Sequence, residues 1–263
     1  MRIAFAGTPQ SAVAPLQALV HSHHEIAFVV TRPDAPTGRG RVLTPSPVAT
    51  FAAENELQVF KPEHIADIAD KFADVDAVIV IAYGAMIPEA LLDVPHHGFI
   101  NLHFSLLPTW RGAAPVQHAI INGDELTGVT AFRIDKGLDT GPILGTVSTQ
   151  ITSSENSGEL LDRLTDMGSM LMLQLLDGLE SGQVTAHEQS PHDVSYAHKI
   201  TTDHARINWS HPGLAVVRRI RGMAPAPGAW TMQGDERIKI GHAQLALDVT
   251  DLAPGQVRVA DGK

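Results

Sequence analysis

An asparagine and a histidine stand two residues apart at the end of an apolar run, in the segment NLHFSLLPTWRGAAP. Side chains alternate between the two faces of a strand, so Asn101 and His103 are expected to point to the same face. An amide can donate to a developing oxyanion, and an imidazole, with a reference pKa near ~6.5, can donate or accept a proton around neutral pH. The pair could therefore stabilise a tetrahedral intermediate and move a proton.

A carboxylate that could act with this pair follows the next predicted strand. Asp139 lies in KGLDTG, where glycines on both sides allow tight turns. It could set the tautomer of His103 or move a second proton. A purely structural role stays open, because Asn-x-His pairs are common by chance and spacing alone favours that interpretation. No third histidine or carboxylate stands at ligand spacing, so we expect no metal ion in this group.

A sharp turn is predicted directly after the pair. Its four residues offer a hydroxyl, an apolar wall and a fixed bend, which suit one side of a slot for a flat aromatic ring. They are Ser105, Leu106, Leu107 and Pro108. An ordinary loop with a hydrophobic plug is the alternative.

The elements that must position these residues alternate between strand and helix patterns. Strands are predicted at 2–7, 25–31, 57–60, 76–82, 98–103, 128–134 and 143–150. Helices are predicted at 11–22, 48–56, 62–73, 115–122 and 157–182. This alternation predicts an α/β fold with a mostly parallel sheet and helices on both faces. Ligands bind beyond the carboxyl ends of such strands, where Tyr83 and Gly84 also stand.

The chain is expected to contain two unequal parts. Residues 1–182 form the α/β domain, residues 183–205 a connector, and residues 206–263 a small, basic, mostly β domain. The final segment PGQVRVADGK looks like a strand that enters a turn and stops, so a barrel there is expected to be incomplete or truncated.

Several classes of protein are disfavoured. The first strand ends in Gly7-Thr8-Pro9 and carries neither Gly-x-Gly-x-x-Gly nor a Walker A loop, which argues against nicotinamide, flavin and P-loop chemistry. The absence of cysteine excludes disulfides and thiol nucleophiles. No apolar run approaches the ~20 residues of a membrane span, and no signal sequence is visible, so we expect a cytoplasmic protein without membrane contact.

Charge is distributed unevenly along a chain whose net charge is −10. Residues 206–241 hold six Lys/Arg against two Asp/Glu, and residues 31–43 hold three Arg against one Asp. Two basic islands on an acidic body could face a polyanion, although solvated faces are the simpler interpretation. The histidines at element ends are expected at the surface: His21, His23, His24, His96 and His97.

Three motifs together resemble the folate-dependent formyltransferases: FAGTP, NLHFSLLPTWRGAAPVQHAI and GVTAFRIDKGLDTGPIL. The loop TRPDAPTGRGRVLTPSPV, with SYAHKI and ARINWS, is similar to the branch of that family that acts on initiator methionyl-tRNA. The similarity runs from Arg2 to about Lys239. It implies a Rossmann-like formyl-transfer domain, a small OB-like tRNA-binding barrel, and 10-formyltetrahydrofolate as donor. We expect a monomer.

The resemblance also implies roles for individual residues. Asn101, His103 and Asp139 match the catalytic positions. The folate contacts would come from Ser105, Leu106, Leu107 and Pro108, with Tyr83 and Gly84. The tRNA contacts would come from Arg32, Arg39, Arg41, Arg218, Arg219, Arg221 and Lys239. Members often carry two successive lysines where this chain has Arg41-Val42, which implies one phosphate contact fewer.

Three alternative functions are compatible with the presence of Asn101, His103 and Asp139. A formyltransferase acting on an amino-sugar nucleotide or on glycinamide ribonucleotide would need neither the arginine loop nor the basic second domain. A hydrolase would pass the formyl group to water and release formate. A non-catalytic RNA-binding module would keep the trio only as a relic.

Overall fold

The structure is a computed structural model that describes residues 1–38 and 40–258. The strands, in chain order, are β1 (Arg2–Gly7), β2 (Glu25–Val30), β3 (Ala35–Thr37), β4 (Val42–Thr44), β5 (Val59–Phe60), β6 (Ala77–Ile81), β7 (Phe99–His103), β8 (Arg111–Gly112), β9 (Leu126–Arg133), β10 (Ile143–Gln150), β11 (Tyr196–Ala197), β12 (Ala229–Gln233) and β13 (Glu236–Ile240). The α-helices are α1 (Val13–Val20), α2 (Pro47–Glu54), α3 (Pro115–Asn122), α4 (Ser157–Glu180) and α5 (Gly213–Met223). Segments of 3₁₀ helix cover Gln10–Ala12, Ile65–Asp74, Glu89–Leu91 and Asp203–Ala205.

The central sheet has seven strands in the order β10-β9-β7-β6-β1-β2-β5. The strands from β7 to β5 are parallel. At one side β9 runs antiparallel to β7, and the edge strand β10 runs antiparallel to β9. In β6 the sequence AVIVI is buried throughout, as expected for a strand covered on both faces. The prediction of a mostly parallel α/β sheet is therefore confirmed.

The two faces of the sheet are covered by different kinds of helix. On one face Ile3, Phe5 and Ile79 pack in a core that includes Leu16 of α1 and Leu164 of α4. On the other face the core is completed by residues of the 3₁₀ segments rather than by α-helices.

The α-helix predicted at 62–73 is a kinked 3₁₀ segment instead. Ile65 and Phe72 are buried, as the apolar pattern predicts, but backbone geometry leaves the helical region at Ile68, with φ −120° and ψ 25°. Ile68 is β-branched and follows Asp67, and neither residue type is a strong helix former, which accounts for the break.

The C-terminal part consists of α5 and the hairpin β12–β13 around a small core of its own, with Ile220 and Trp230 buried. It packs on the sheet domain through α3, and the Arg221 guanidinium donates to the carbonyls of Thr152 and Glu155. Within the described residues this part is a helix and one hairpin, not a closed barrel, and residues 241–258 contain no strand. The strand expected near the end falls partly on 259–263, outside the described residues.

None of the helices in the described ranges combines the length and the apolar character that a membrane crossing requires.

Candidate active site

Strand β7 positions the asparagine and the histidine at the carboxyl edge of the sheet, between β6 and β9. Ile100 and Leu102 point into the core beneath α4, so the alternating Asn101 and His103 point to the opposite face. The two side chains lie on one face, as their spacing predicts. His103 is 6% exposed, whereas Asn101 is partly exposed.

The tautomer of His103 follows from a backbone contact. Its Nε2 lies 2.9 Å from the carbonyl oxygen of Trp110, so Nε2–H donates and the neutral ring keeps its lone pair on Nδ1. Nδ1 lies 3.7 Å from Oδ2 of Asp139, which is too long for a hydrogen bond but close enough for an ion pair after protonation. Burial lowers the pKa of His103, and the Asp139 charge and the Trp110 hydrogen bond oppose that shift.

The carboxylate of Asp139 is held by the backbone of the preceding loop. Its Oδ2 accepts from the Gly112 N–H at 2.7 Å, and its own backbone adopts a left-handed φ of 52°. Gly112 has φ 119°, and a Cβ there would lie 2.8 Å from the carbonyl oxygen of Ala197. Only glycine therefore fits this close approach, which brings the carboxylate beside His103.

Trp110 is the residue that sequence reasoning missed as the orienting partner of His103. Its backbone φ of 62° is left-handed, its N–H donates to Ser195 Oγ, and its indole donates to Asp124. These contacts direct its carbonyl at the imidazole. A backbone carbonyl leaves no signal in residue types, so nothing in the sequence could have identified it.

The segment predicted as a connector forms part of the site. Strand β11 pairs with β8, directly after Trp110. Gln189 donates from Nε2 to the carbonyls of Asp139 (2.8 Å) and Gly141 (2.9 Å), while its Oε1 accepts from Arg111 at 2.6 Å. Residues 183–205 thus fasten the two loops that carry the site to each other.

Replacing Gln189 by leucine is expected to lower kcat about 10- to 100-fold. The loop that carries Asp139 loses the two hydrogen bonds from Gln189 Nε2, and a small displacement of a reacting group is costly. Steady-state kinetics on a variant with unchanged circular dichroism measures the effect. Gln183→Leu, an exposed position in the same segment, is the control and should keep the wild-type kcat. An unaltered kcat in Gln189→Leu would show that Gln189 does not position the site.

The predicted folate residues divide into buried and accessible members. Ser105 is 1% exposed, and its hydroxyl donates to the Thr109 carbonyl at 2.5 Å, so it shapes the turn from within. Leu107 is also buried, whereas Leu106 and Pro108 are partly exposed.

The loop after β6 lies at the same edge of the sheet. Tyr83 is buried, its carbonyl accepts from Thr8, and burial raises its pKa, while Gly84 is exposed. Sequence reasoning missed two exposed apolar side chains in the neighbouring loops: Met86 is 87% exposed and Leu138 is 59% exposed. The available signal was a large apolar residue in a strand-end loop.

The predicted tRNA residues occupy two regions. Arg32 and Arg41 are exposed at the hairpin β3–β4, which follows β2 at the carboxyl edge of the sheet. Arg39 lies outside the described residues. In the C-terminal part Lys239 is exposed, Arg218 lies against Gly123, and Arg219 donates to the His204 carbonyl.

Comparisons with known proteins agree with this arrangement. The family model described as formyl transferase matches residues 1–176, and the model for the formyl transferase C-terminal domain matches residues 199–263. The methionyl-tRNA formyltransferase of an Arthrobacter species is 50% identical over 266 residues, covering 100% of this chain and 86% of that protein. The one from Acidothermus cellulolyticus is 49% identical over 271 residues, covering 98% and 84%.

Solved structures share the fold at low identity. The 4-N formyltransferase of Francisella tularensis aligns with a TM-score of 0.71 at 15% identity, over 93% of this chain and 98% of that one. The N-formyltransferase of Helicobacter canadensis, in complex with folinic acid and dTDP-3-aminofucose, aligns with a TM-score of 0.67 at 19% identity, over 84% and 79%. The family resemblance in the sequence is confirmed by these matches: the chain belongs to the formyl transferase family and, within it, groups with the methionyl-tRNA formyltransferases.

Proposed function

We propose that this protein is a cytoplasmic, monomeric enzyme that transfers the formyl group of 10-formyltetrahydrofolate to the α-amine of initiator methionyl-tRNA. The observation that carries the proposal is the convergence of Asn101, His103 and Asp139 at one strand end, with a neutral imidazole nitrogen directed at a carboxylate. The identity of about half of all positions to methionyl-tRNA formyltransferases supports the choice of acceptor.

The first chemical step is attack of the methionyl amine on the formyl carbon. The C–N bond forms, the carbonyl π electrons move to oxygen, and a tetrahedral oxyanion results. The partly exposed Asn101 amide donates to this oxygen. No metal is required in this step, because an amide donor stabilises the charge as it develops.

His103 transfers the proton in this mechanism. Its Nδ1 carries the lone pair because Nε2–H is committed to the Trp110 carbonyl, so Nδ1 accepts the proton that the attacking amine loses. The imidazolium then forms an ion pair with Asp139, whose Oδ2 is 3.7 Å away. Collapse of the intermediate breaks the bond from the formyl carbon to the folate nitrogen, and the proton on Nδ1 passes to that nitrogen.

The donor would lie along the loops that follow β6 and β7. Leu106 and Pro108 offer partly exposed apolar surface, and Gly84 leaves the backbone open beside Tyr83. Met86 and Leu138 add exposed apolar side chains at the same edge, which fits the flat, largely apolar faces of a pterin ring.

The acceptor would be bound by the two basic regions. Arg32 and Arg41 flank the exposed hairpin at the site edge, with Arg39 between them in the sequence. Arg218, Arg219 and Lys239 would contact the RNA from the C-terminal part. Arg221 is expected to contribute least, because its guanidinium already serves two backbone carbonyls.

The test uses 10-formyltetrahydrofolate labelled in its formyl group and offers several acceptors separately. Label is expected on initiator methionyl-tRNA and not on elongator methionyl-tRNA, an amino-sugar nucleotide or glycinamide ribonucleotide. Transfer to one of the small acceptors at a comparable rate would overturn the proposal. Formate release without an acceptor, at a similar rate, would instead identify a hydrolase.

As pH decreases, kcat/KM is expected to fall first as the acceptor amine (reference pKa ~7.7–8.0) is protonated, and then more steeply below the ordinary histidine pKa of ~6.5. His103 works as an unprotonated base, so activity falls as pH drops through its pKa, which burial lowers. Asp139→Asn removes the charge that raises this pKa and should move the limb of the residual activity further down. Measurement of kcat/KM from pH ~5 to ~8 decides the matter. A profile with the amine limb alone, or a second limb that Asp139→Asn moves upward, would contradict the assignment.

A further inference from the structure

A second group of histidines and carboxylates lies at the opposite edge of the sheet from the catalytic trio. His23 and His24 directly precede β2, so they stand at the amino ends of the parallel strands. The last turn of α4 brings Asp177 and Glu180 beside them. The formyl-transfer proposal assigns no role to any of these four side chains.

The ligand atoms in this group have spacings close to those of a metal centre. The Oδ1 atom of Asp177 is 3.2 Å from Nε2 of His24 and 3.8 Å from Nε2 of His23. All three atoms lie within 4.8 Å of one another. Tetrahedral zinc with bonds of about 2.0–2.1 Å separates its ligand atoms by roughly 3.3 Å. Glu180 lies beside this group, with its Oε2 3.0 Å from Nε2 of His23, and is not one of the three.

The buried histidine has a nitrogen without a partner. The side chain of His24 has 0% exposure, and within the described residues its Nε2 makes no hydrogen bond. Oδ1 of Asp177 is 3.2 Å from this nitrogen, but the two groups are not aligned for a hydrogen bond. The expectation that His24 is a surface residue is therefore wrong, because it turns inward beneath the end of α4. A buried nitrogen without a partner costs free energy that a bound cation would offset.

We propose that His23, His24 and Asp177 bind one divalent transition-metal ion, with Zn²⁺ the best match and water as the fourth ligand. Two imidazole nitrogens and one carboxylate oxygen are a donor set that suits zinc and its first-row neighbours rather than Mg²⁺ or Ca²⁺. The ion would tie the start of β2 to the end of α4.

The location separates this site from formyl transfer. The trio lies at the carboxyl edge of the sheet and the proposed metal site at the amino edge. Bound metal is therefore expected to raise the melting temperature while leaving kcat unchanged, since a ligand that binds only the folded state stabilises it.

The experiment titrates untagged, chelator-treated protein with ZnCl₂ by calorimetry. One equivalent should bind, and Co²⁺ should give the visible absorption of a tetrahedral site. His23→Asn and Asp177→Asn are exposed substitutions that should spare the fold, and each should weaken binding at least about tenfold.

The matched control is the double variant His96→Asn/His97→Asn, which removes the other adjacent pair of histidines, whose ring nitrogens lie 3.1 Å apart. It should bind Zn²⁺ as the wild type does. Absence of binding tighter than ~10 µM, or binding that His23→Asn and Asp177→Asn leave unchanged, would overturn the proposal.

Discussion

Replacing His103 by alanine is expected to lower kcat for formyl transfer by about 10²- to 10⁴-fold, the range for loss of a general acid–base group. The ring takes the proton of the attacking amine and returns it to the folate nitrogen, so both halves of the reaction lose their proton carrier. Its Nε2–H is committed to the Trp110 carbonyl, so Nδ1 is the ring nitrogen that carries the proton between the two steps. Single-turnover assays with both substrates saturating measure the loss.

The matched control for this variant lies at the other end of the same strand. His97 precedes β7 at the amino edge of the sheet, where its ring contacts His96. His97→Ala should keep near wild-type turnover. A folded His103→Ala variant with the same turnover as His97→Ala would remove His103 from the mechanism.

Raising monovalent salt from ~50 to ~200 mM is expected to increase KM for tRNA about 10²-fold, while KM for the folate changes little. The magnitude follows from about four phosphate contacts, each contributing a slope near −0.9 or somewhat less in log K against log salt. Exposed Arg32, Arg41 and Lys239, with Arg218, could supply them. On a chain of net charge −10 the rest of the surface repels RNA, so binding depends on these few cations.

A single substitution refines the salt experiment. Arg41→Ala should reduce the salt slope by about one and weaken tRNA binding at low salt. Lys71→Ala, in the 3₁₀ segment beside Asp70, removes an equal charge outside the two basic regions and should leave the slope unchanged. Equal salt sensitivity of the two substrates, or equal effects of the two variants, would refute the RNA contacts.

The parts of the fold that sequence predicted best are those set by local periodicity. The continuous apolar run of β6 predicts a strand that is buried on both faces. The two-residue spacing of Asn101 and His103 predicts that their side chains share one face of a strand. Asp139 reaches His103 by a route that a parallel-sheet rule does not predict, because β9 runs antiparallel to β7 and ends beside Phe99. The loop after β9 folds back, and the Gly112 N–H holds the carboxylate at the site. The break at Ile68 could not be predicted in this way, because the apolar pattern is compatible with both α-helix and 3₁₀ helix, and small differences in helix propensity decide between them.

Long-range contacts explain what sequence could not reveal. Trp110 acts through a backbone carbonyl, and Gln189 reaches Asp139 from 50 residues away. His24 was expected at the surface, yet packing under α4 buries it. Each of these positions depends on how separate segments meet in space, which neither composition nor spacing encodes.

The most direct test of the catalytic trio is a double-mutant cycle on Asn101 and His103, with the single-turnover rate of labelled formyl transfer to initiator methionyl-tRNA as the readout. Both residues are assigned to the same intermediate, so Asn101→Ala should cost about 10²-fold or more, and the double variant should be no more than about tenfold slower than His103→Ala. Near wild-type rates in either folded single variant, or losses that multiply fully in the double variant, would contradict a shared site of action at the end of β7.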